Sequence, residues 1–451
     1  MGAWRLKRRL EEAMAFLSWE EHMNSSGISR RSLLAAAVGG FPLAFPQSLE
    51  SREAQRAAAG VGPLRITKVE AVRFNAERRV QGIAPNWTWV RLHTDGGLVG
   101  IGESYPGHEW HLGALKEMAG WILKRDATQI ERLWQEVYYR ISYRPVGGAD
   151  LRMLTAINMA QWDILGKACG LPVYKLLGGR AQDKLRVYNT INGWPVYGMR
   201  EPDDIEKITE FLLKRNIRAI KIYPYDRSPA DPAARYGGTF ITQAELKRCL
   251  GPIQRIRRVA GDEMEIALDL SSRWNLPCSL QIARSVEPYG IMYLEDPMLP
   301  DNLEAYAILA RETSVPICIS ERLATRFRFR EMFEARAVDV VMYDVTWCGG
   351  ISEAKKISDM ADTYKLPTSP HTGGGPLLWL ASIHVATATT NFYIMESVFH
   401  LYNDLYPRFI ENVPAPAEGY VTAPEEPGLG VQPREEAFRN GDAVVEPVAS
   451  L

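Results

Sequence analysis

The sequence predicts an α/β protein, a (β/α)8-type (modified TIM) barrel with an N-terminal α+β capping domain completed by the C-terminal tail. Three observations carry this expectation. Beyond Lys184, short apolar runs alternate with amphipathic segments eight times; parallel strands need helical crossovers and are covered on both faces, so they read as nearly all apolar. From Leu64 to that point the pattern instead alternates with period two and then turns helical, as in a small antiparallel sheet backed by helices. At 451 residues the chain exceeds one ordinary domain and has room for a barrel plus a smaller unit.

Taken in order, residues 1–62 read as a twin-arginine-type signal and linker. In "SRRSLLAAAVGGFPLAFP" Arg30 and Arg31 stand before an apolar run too short for a membrane span but suited to a signal core. The alternative is a surface helix that happens to carry two arginines. Met23 is a candidate start, and the mature protein is expected to be periplasmic or otherwise exported and free of membrane. Residues 63–183 form the expected capping domain. "RITKVEAVRF" and "WTWVRLHTDGGLVGIGES" read as strands, the second broken by a turn at Asp95-Gly96-Gly97. Helical periodicity runs from about His111 to Tyr139 and from Ala149 to Cys169, with Gly170 as the stop.

Residues 184–402 form the expected barrel, with strands "LRVYNT", "AIKIY", "EIALD", "IMYLE", "PICIS", "VDVVMYD", "LPTSP" and "FYIME". Each but the last precedes a helical segment. The Pro- and Gly-rich tail, 403–451, is expected to return to the capping domain. Lys and Arg number 53 against 54 Asp and Glu, and the two signs are interspersed. That gives no electrostatic reason to expect nucleic acid or a membrane surface and leaves a small molecule as the expected partner. The five cysteines are scattered, without zinc-type spacing, and read as core residues.

Barrel chemistry lies at the C-terminal ends of strands. Those ends carry Lys221 and Tyr223, Asp269, Glu295, Glu321, Asp344, His371 and Glu396. A single carboxylate there often caps the next helix. Asp269, Glu295 and Glu321 recur with a constant spacing of 26 residues, one βα unit each. Three carboxylates converging in a barrel mouth repel unless a cation neutralises them, and an all-oxygen set suits Mg²⁺.

The blocks "MLTAINMAQWDILGKACGLPVYKLLGG", "LEDP", "SERL", "MYDVTWCGGISEA", "PHTGGGPLLWLASIHVA" and "MES" resemble the enolase superfamily, in its mandelate racemase and acid-sugar dehydratase branch. The resemblance runs from about Leu64 to the end. It implies Asp269, Glu295 and Glu321 as Mg²⁺ ligands, His371 as the base that removes a proton alpha to a carboxylate, and Asp344 as the partner of its other ring nitrogen. It implies Glu396 as a hydrogen-bond partner of the developing enediolate, and a homo-oligomer. In the loop "NAERRVQGIAPNW" it points to Arg78, Arg79 and Trp87 as substrate contacts.

Two positions depart from the family pattern. Where racemases carry Lys-x-Lys, this chain has Lys221 and Tyr223, so the opposite-face lysine is missing; Tyr223 reads equally as a base or as a packed aromatic. Some dehydratases have a histidine two residues after the first ligand, and here that residue is Ser271. The expected activity is Mg²⁺-dependent dehydration of a sugar acid to the 2-keto-3-deoxy acid. A racemase, epimerase or cycloisomerase, or a binding protein on the same scaffold, is the alternative.

Overall fold

The computed structural model of the protein describes residues 60–80, 82–144, 146–191, 196–226 and 238–451. The segment with Arg30 and Arg31 lies outside the described residues.

The capping domain opens with β1 (Ile66–Phe74), β2 (Thr88–Thr94) and β3 (Val99–Ser104). They join a fourth strand from the far end of the chain, β12 (Ala443–Ser450), in the antiparallel order β12-β1-β2-β3. The tail therefore closes the sheet that the first strand opened. Three helices back this sheet: α1 (Glu109–Ile122), α2 (Ile130–Ile141) and α3 (Ala149–Cys169). The continuous helix suggested by the periodicity from His111 to Tyr139 is two. Asp126 interrupts it, because its Oδ1 accepts hydrogen bonds from the Leu64 N–H at 3.1 Å and the Thr128 N–H at 3.0 Å, a local competitor to the helical ladder. α3 ends at Gly170, which takes the left-handed conformation (φ 68°) as a helix stop.

α3 packs directly on β3, and two glycines make the approach possible. A Cβ at Gly100 would fall 2.1 Å from the Ala160 carbonyl oxygen, and one at Gly102 would fall 1.9 Å from that of Ala156.

The barrel strands are β4 (Leu185–Thr190), β5 (Ala219–Ile222), β6 (Glu265–Asp269), β7 (Tyr293–Glu295), β8 (Ile317–Ile319), β9 (Val340–Val341) and β10 (Met395–Ser397). They pair in parallel in the order β10-β4-β5-β6-β7-β8-β9, and β11 (Tyr420–Val421) from the tail pairs antiparallel with β4. The stretch expected as a seventh strand, "LPTSP", is reduced to single bridges from Thr368 to Val341 on one side and Phe392 on the other. Pro367 and Pro370 have no N–H to give a ladder. Those bridges still close the ring. Helices α4 (Ile205–Leu213), α5 (Gln243–Ala260), α6 (Leu276–Val286), α7 (Leu303–Glu312), α8 (Thr325–Glu334), α9 (Ile351–Thr363) and α10 (Pro376–Thr387) cross between strands. Local signals start several of them: Thr242 and Glu245 form a reciprocal cap on α5, and Asn275 and Asn302 cap α6 and α7. A helix after β10 is replaced by short turns at Leu401–Leu405 and Tyr406–Arg408, where Pro407 cannot continue a helical ladder.

The capping domain reaches the barrel through side chains of its helices. The Trp134 indole N–H donates to the Gly349 carbonyl at 2.8 Å, and Asn158 and Trp162 both donate to the Ser352 hydroxyl at 3.0 Å. All three grip the segment that follows β9.

Gly102→Val is expected to cost about 3 kcal/mol or more, the upper end for overpacking, because the obstructing Ala156 carbonyl is helix backbone and cannot swing aside. Urea unfolding of purified protein measures it, with an unchanged midpoint as the contrary result.

Candidate active site and metal centre

Parallel register places the functional side chains side by side. Asp269 ends β6 and is the registered neighbour of Glu295, which ends β7. Glu321 follows β8, Asp344 follows β9, and Glu396 lies on β10, which pairs with β4. Lys221 lies on β5 and is fully buried. Its ammonium is 2.8 and 2.9 Å from the two Glu295 oxygens, 2.9 Å from Glu396 Oε1 and 3.5 Å from Asp269 Oδ2. Burial opposes its charge, yet Glu295 and Glu396 prevail and raise its pKa well above the usual lysine range. Lys221 is therefore a fixed cation at the floor of the mouth.

One cation does not balance the cluster. Burial, reinforced by Asp269, pushes the Glu295 carboxyl well above its ordinary value even with Lys221 in contact. Burial and Glu321 do the same to Asp296, whose Oδ2 accepts from Ser320 at 2.7 Å and Ser272 at 3.2 Å while its Oδ1 has no partner. Arg322 lies 3.3 Å from Asp296 Oδ2 and 3.6 Å from Glu321 Oε1. Glu321 Oε2 is buried without a hydrogen-bond partner.

No three His, Cys, Asp or Glu groups among the described residues come together closely enough to form a finished cation cage, since Glu295 is turned onto Lys221. The donors nevertheless fit a hard divalent cation. They are carboxylate oxygens, they are short of positive charge, and one of them is orphaned.

Across the mouth stands His371. Its Nδ1 is 2.8 Å from Asp344 Oδ2, and its Nε2 is 3.6 Å from Glu396 Oε2. Burial disfavours the imidazolium, but Glu396 and Asp344 outweigh it and raise the His371 pKa to about 9. Asp344 is held in turn by Thr346, whose N–H (2.7 Å) and hydroxyl (2.5 Å) both donate to Oδ1. Burial would raise the Glu396 pKa, yet Lys221, His371, the Thr190 hydroxyl and the Thr372 N–H hold it down at about 2. As a carboxylate Glu396 accepts hydrogen bonds and offers none.

Tyr223 stands beside Lys221, whose Nζ is 5.8 Å from the ring centroid. Burial and Asp269 push its phenol well above 10, with Lys221 opposing too weakly. That is the wrong direction for a base. Ser271 turns its N–H onto Asp269 Oδ1 at 2.7 Å. Of the expected substrate contacts, Trp87 is 3 % exposed and packs on Phe74, Tyr406 and Phe409. Its bulk thus belongs to the core. Arg78 pairs with Asp442 at 3.3 Å and Arg79 donates to the Gly82 carbonyl at 3.0 Å, both on the exposed loop.

Sequence reasoning passed over several groups. Asp296 and Arg322 adjoin two of the carboxylates in "LEDP" and "SERL", so adjacency was a usable signal. Tyr105 and Glu103 come from the capping domain, and nothing in the one-dimensional pattern links them to residues more than 200 positions away. Glu103 is fully buried at the end of β3 and accepts from the Trp89 indole (2.9 Å) and from the backbone N–H groups of Leu377 and Leu378 (3.1 Å each), capping α10 just beyond His371.

Fold and site together define a barrel enzyme in which a carboxylate cluster on successive strands faces a histidine–aspartate pair. Family comparison agrees. Residues 84–178 match the mandelate racemase / muconate lactonizing enzyme N-terminal domain, and residues 204–437 match the enolase C-terminal domain-like family. The chain belongs to the mandelate racemase / muconate lactonizing enzyme family of the enolase superfamily. Among curated relatives, D-galactonate dehydratase of Ralstonia pickettii is 30 % identical over 359 residues, 77 % of this chain and 89 % of that protein. The enzyme of the same name from Xanthomonas axonopodis is 29 % identical over 367 residues, 80 % of this chain and 92 % of that protein. Among solved structures, a mandelate racemase-subgroup enolase from Agrobacterium tumefaciens superposes with TM-score 0.76 at 34 % identity, covering 86 % of this chain and all of that one. A putative dehydratase from Salmonella enterica superposes with TM-score 0.79 at 30 % identity, covering 85 % and 99 %.

The Glu103 pKa is raised to about 7 by burial. A carboxyl raised in the folded state binds its proton there while the unfolded chain has released it. Its contribution to stability is therefore full below about pH 4.5, falls as pH rises, and is lost above about 7. The difference is about 3 kcal/mol. Glu103→Gln should flatten the pH dependence of unfolding free energy across that window, and a slope identical to the parent protein would contradict this account.

Proposed function

We propose that this protein is a Mg²⁺-dependent lyase that removes water from a sugar acid to give the 2-keto-3-deoxy acid, with a galactonate-type acid as the first substrate to try. The observation that carries the reading is the His371–Asp344 pair facing the cation-poor carboxylate cluster. It is the one arrangement among the described residues that supplies a base opposite a site for a substrate carboxylate. The relatives named D-galactonate dehydratase support the choice of reaction and acid.

Asp269, Glu295 and Glu321 would hold the cation. When bound, it would supply positive charge against the substrate carboxylate as the alpha proton leaves. In its neutral form, which its pKa of about 9 makes the minor one at neutral pH and which the charge of a bound cation would favour, His371 takes that proton at Nε2, while Asp344 fixes Nδ1 as the protonated nitrogen. The imidazolium so formed is stabilised by Asp344 on one side and Glu396 on the other. It then returns a proton to the departing β-hydroxyl, which leaves as water, and the enol product tautomerises to the keto acid. Lys221 keeps Glu295 and Glu396 in place and is too deeply paired to abstract protons. A racemase needs a second base on the opposite face of the alpha carbon. Neither Lys221 nor Tyr223 meets that need, which favours elimination over racemisation.

Purified protein with Mg²⁺ should convert at least one member of a panel of hexonic, pentonic and hexaric acids, D-galactonate included, to a keto acid trapped as its semicarbazone. His371→Asn should lower that rate by roughly two to four powers of ten, whereas Tyr223→Phe should stay near the parent rate. Interconversion of stereoisomers without keto acid would overturn the dehydratase reading. Glu295→Gln should abolish turnover and remove the rise in melting temperature that Mg²⁺ gives the parent protein, because it takes a charged ligand from the cluster. Full activity in excess chelator would rule out the metal.

A further inference from the structure

Tyr105 belongs to the capping domain, one residue past the end of β3, yet its hydroxyl lies inside the barrel's catalytic pair. It donates to Asp344 Oδ2 at 3.2 Å, the same oxygen that stands 2.8 Å from His371 Nδ1, and it is 3.5 Å from that nitrogen. Asp344 Oδ1 is already taken by the two Thr346 donors. Oδ2 is thus shared between the base and a phenol that arrives from another domain.

The ring is fixed on several sides. Its centroid is 5.0 Å from that of Trp347, which follows Asp344, and it lies against Gly374, which follows His371, so closely that a Cβ there would be 2.5 Å from the ring. The Tyr105 carbonyl accepts from the Trp347 indole at 2.9 Å and from Arg152 of α3, whose guanidinium carbon is 4.2 Å from the Trp347 ring centroid. The side chain is wedged between the two loops that carry the pair. A tyrosine needed only to fill this space would place its hydroxyl on any available acceptor. This one is directed at the carboxylate oxygen that governs the base.

We propose that Tyr105 is a positioning residue for His371: its hydroxyl holds Asp344 Oδ2 in line with Nδ1 and draws charge off that oxygen, so that the strength of the base depends on the docked capping domain. The proposal rests on His371 being the base. Removing a hydrogen bond from a carboxylate leaves it more basic, and a more basic Asp344 holds the imidazolium more tightly. The charged and titratable groups around the pair are Glu396 from β10, Glu321 after β8, and Arg152 and Glu103 from the capping domain. None of them is altered by Tyr105→Phe, which keeps the wedge and removes only the hydroxyl.

The test is ¹⁵N NMR of histidine-labelled protein, with His371 assigned by the resonance lost in His371→Asn. The expected result is that the His371 titration midpoint rises by roughly half a unit or more in Tyr105→Phe, with a smaller rise in Trp347→Phe, which loosens the Tyr105 backbone. On a turned-over acid, the acid limb of kcat/KM should move to higher pH by the same amount, and kcat at neutral pH should fall while KM stays within about twofold. An unchanged midpoint in both variants, with melting temperatures like the parent's, overturns the proposal. The NMR readout needs no turnover, so failure of the acid panel would strike the dehydratase reading and leave the Tyr105 result to be judged separately.

Discussion

Everything at the mouth of this barrel depends on how negative charge is held there. Asp269, Glu295, Asp296, Glu321 and Glu396 are all at most 8 % exposed, and two unit charges 4 Å apart repel by about 4 kcal/mol at the effective dielectric of such sites. Among the described residues, Lys221 and Arg322 are the permanent cations in contact with this group, and His371 adds its charge at Glu396 when protonated. Lys221 sits low, on the strand itself, and bridges carboxylates on β6, β7 and β10. Arg322 sits higher and is partly exposed. The site is stable enough to form and still short of positive charge, which is the condition under which a divalent cation and an anionic substrate bind together. The same logic separates two neighbouring ionisable residues: Lys221 is held by its partners, and burial together with Asp269 keeps Tyr223 protonated.

The second constraint is that the His371–Asp344 pair is built on loops, not on strand interiors. Asp344 lies just past the two-residue strand β9, and His371 follows a strand reduced to a bridge at Thr368. Loops need to be held from outside. The capping domain does this at several points, with Trp134 and Asn158 on the segment after Asp344 and Glu103 and Tyr105 on the one after His371. The glycines from Gly373 to Gly375 permit it. A side chain at Gly375 would run into the Glu103 carboxylate at 2.4 Å, and one at Gly374 would run into the Tyr105 ring. The active site is therefore a property of the interface between capping domain and barrel. The C-terminal tail, through β12 on β1, is part of what holds that interface.

Most of the architecture was legible because it rests on local physics that leaves a periodic mark. Buried parallel strands must be apolar, crossovers must be amphipathic, and barrel chemistry must sit at strand ends, so position alone assigned the carboxylates at 269, 295 and 321 and the residues at 344 and 371 to strand ends, and the structure has them at or just past those ends. Their meaning as a set was strengthened by family resemblance, as was the place of Glu396. The errors were equally physical. The break between α1 and α2 came from an aspartate that prefers backbone partners to a helix, and the weak seventh strand came from prolines that cannot donate.

What only the tertiary structure decided are the quantities that depend on neighbours distant in sequence. The ionised state of Glu396 follows from Lys221 and His371, and the raised phenol of Tyr223 from burial beside Asp269. The burial of Trp87 follows from Phe409, and the arrival of Tyr105 and Glu103 beside His371 and its loop follows from the docking of β3 and α3. Residue type and spacing state which groups a chain can bring to a site. Charge state and hydrogen-bond direction are set by the field and packing of everything around them, and no one-dimensional pattern encodes a field summed over three dimensions.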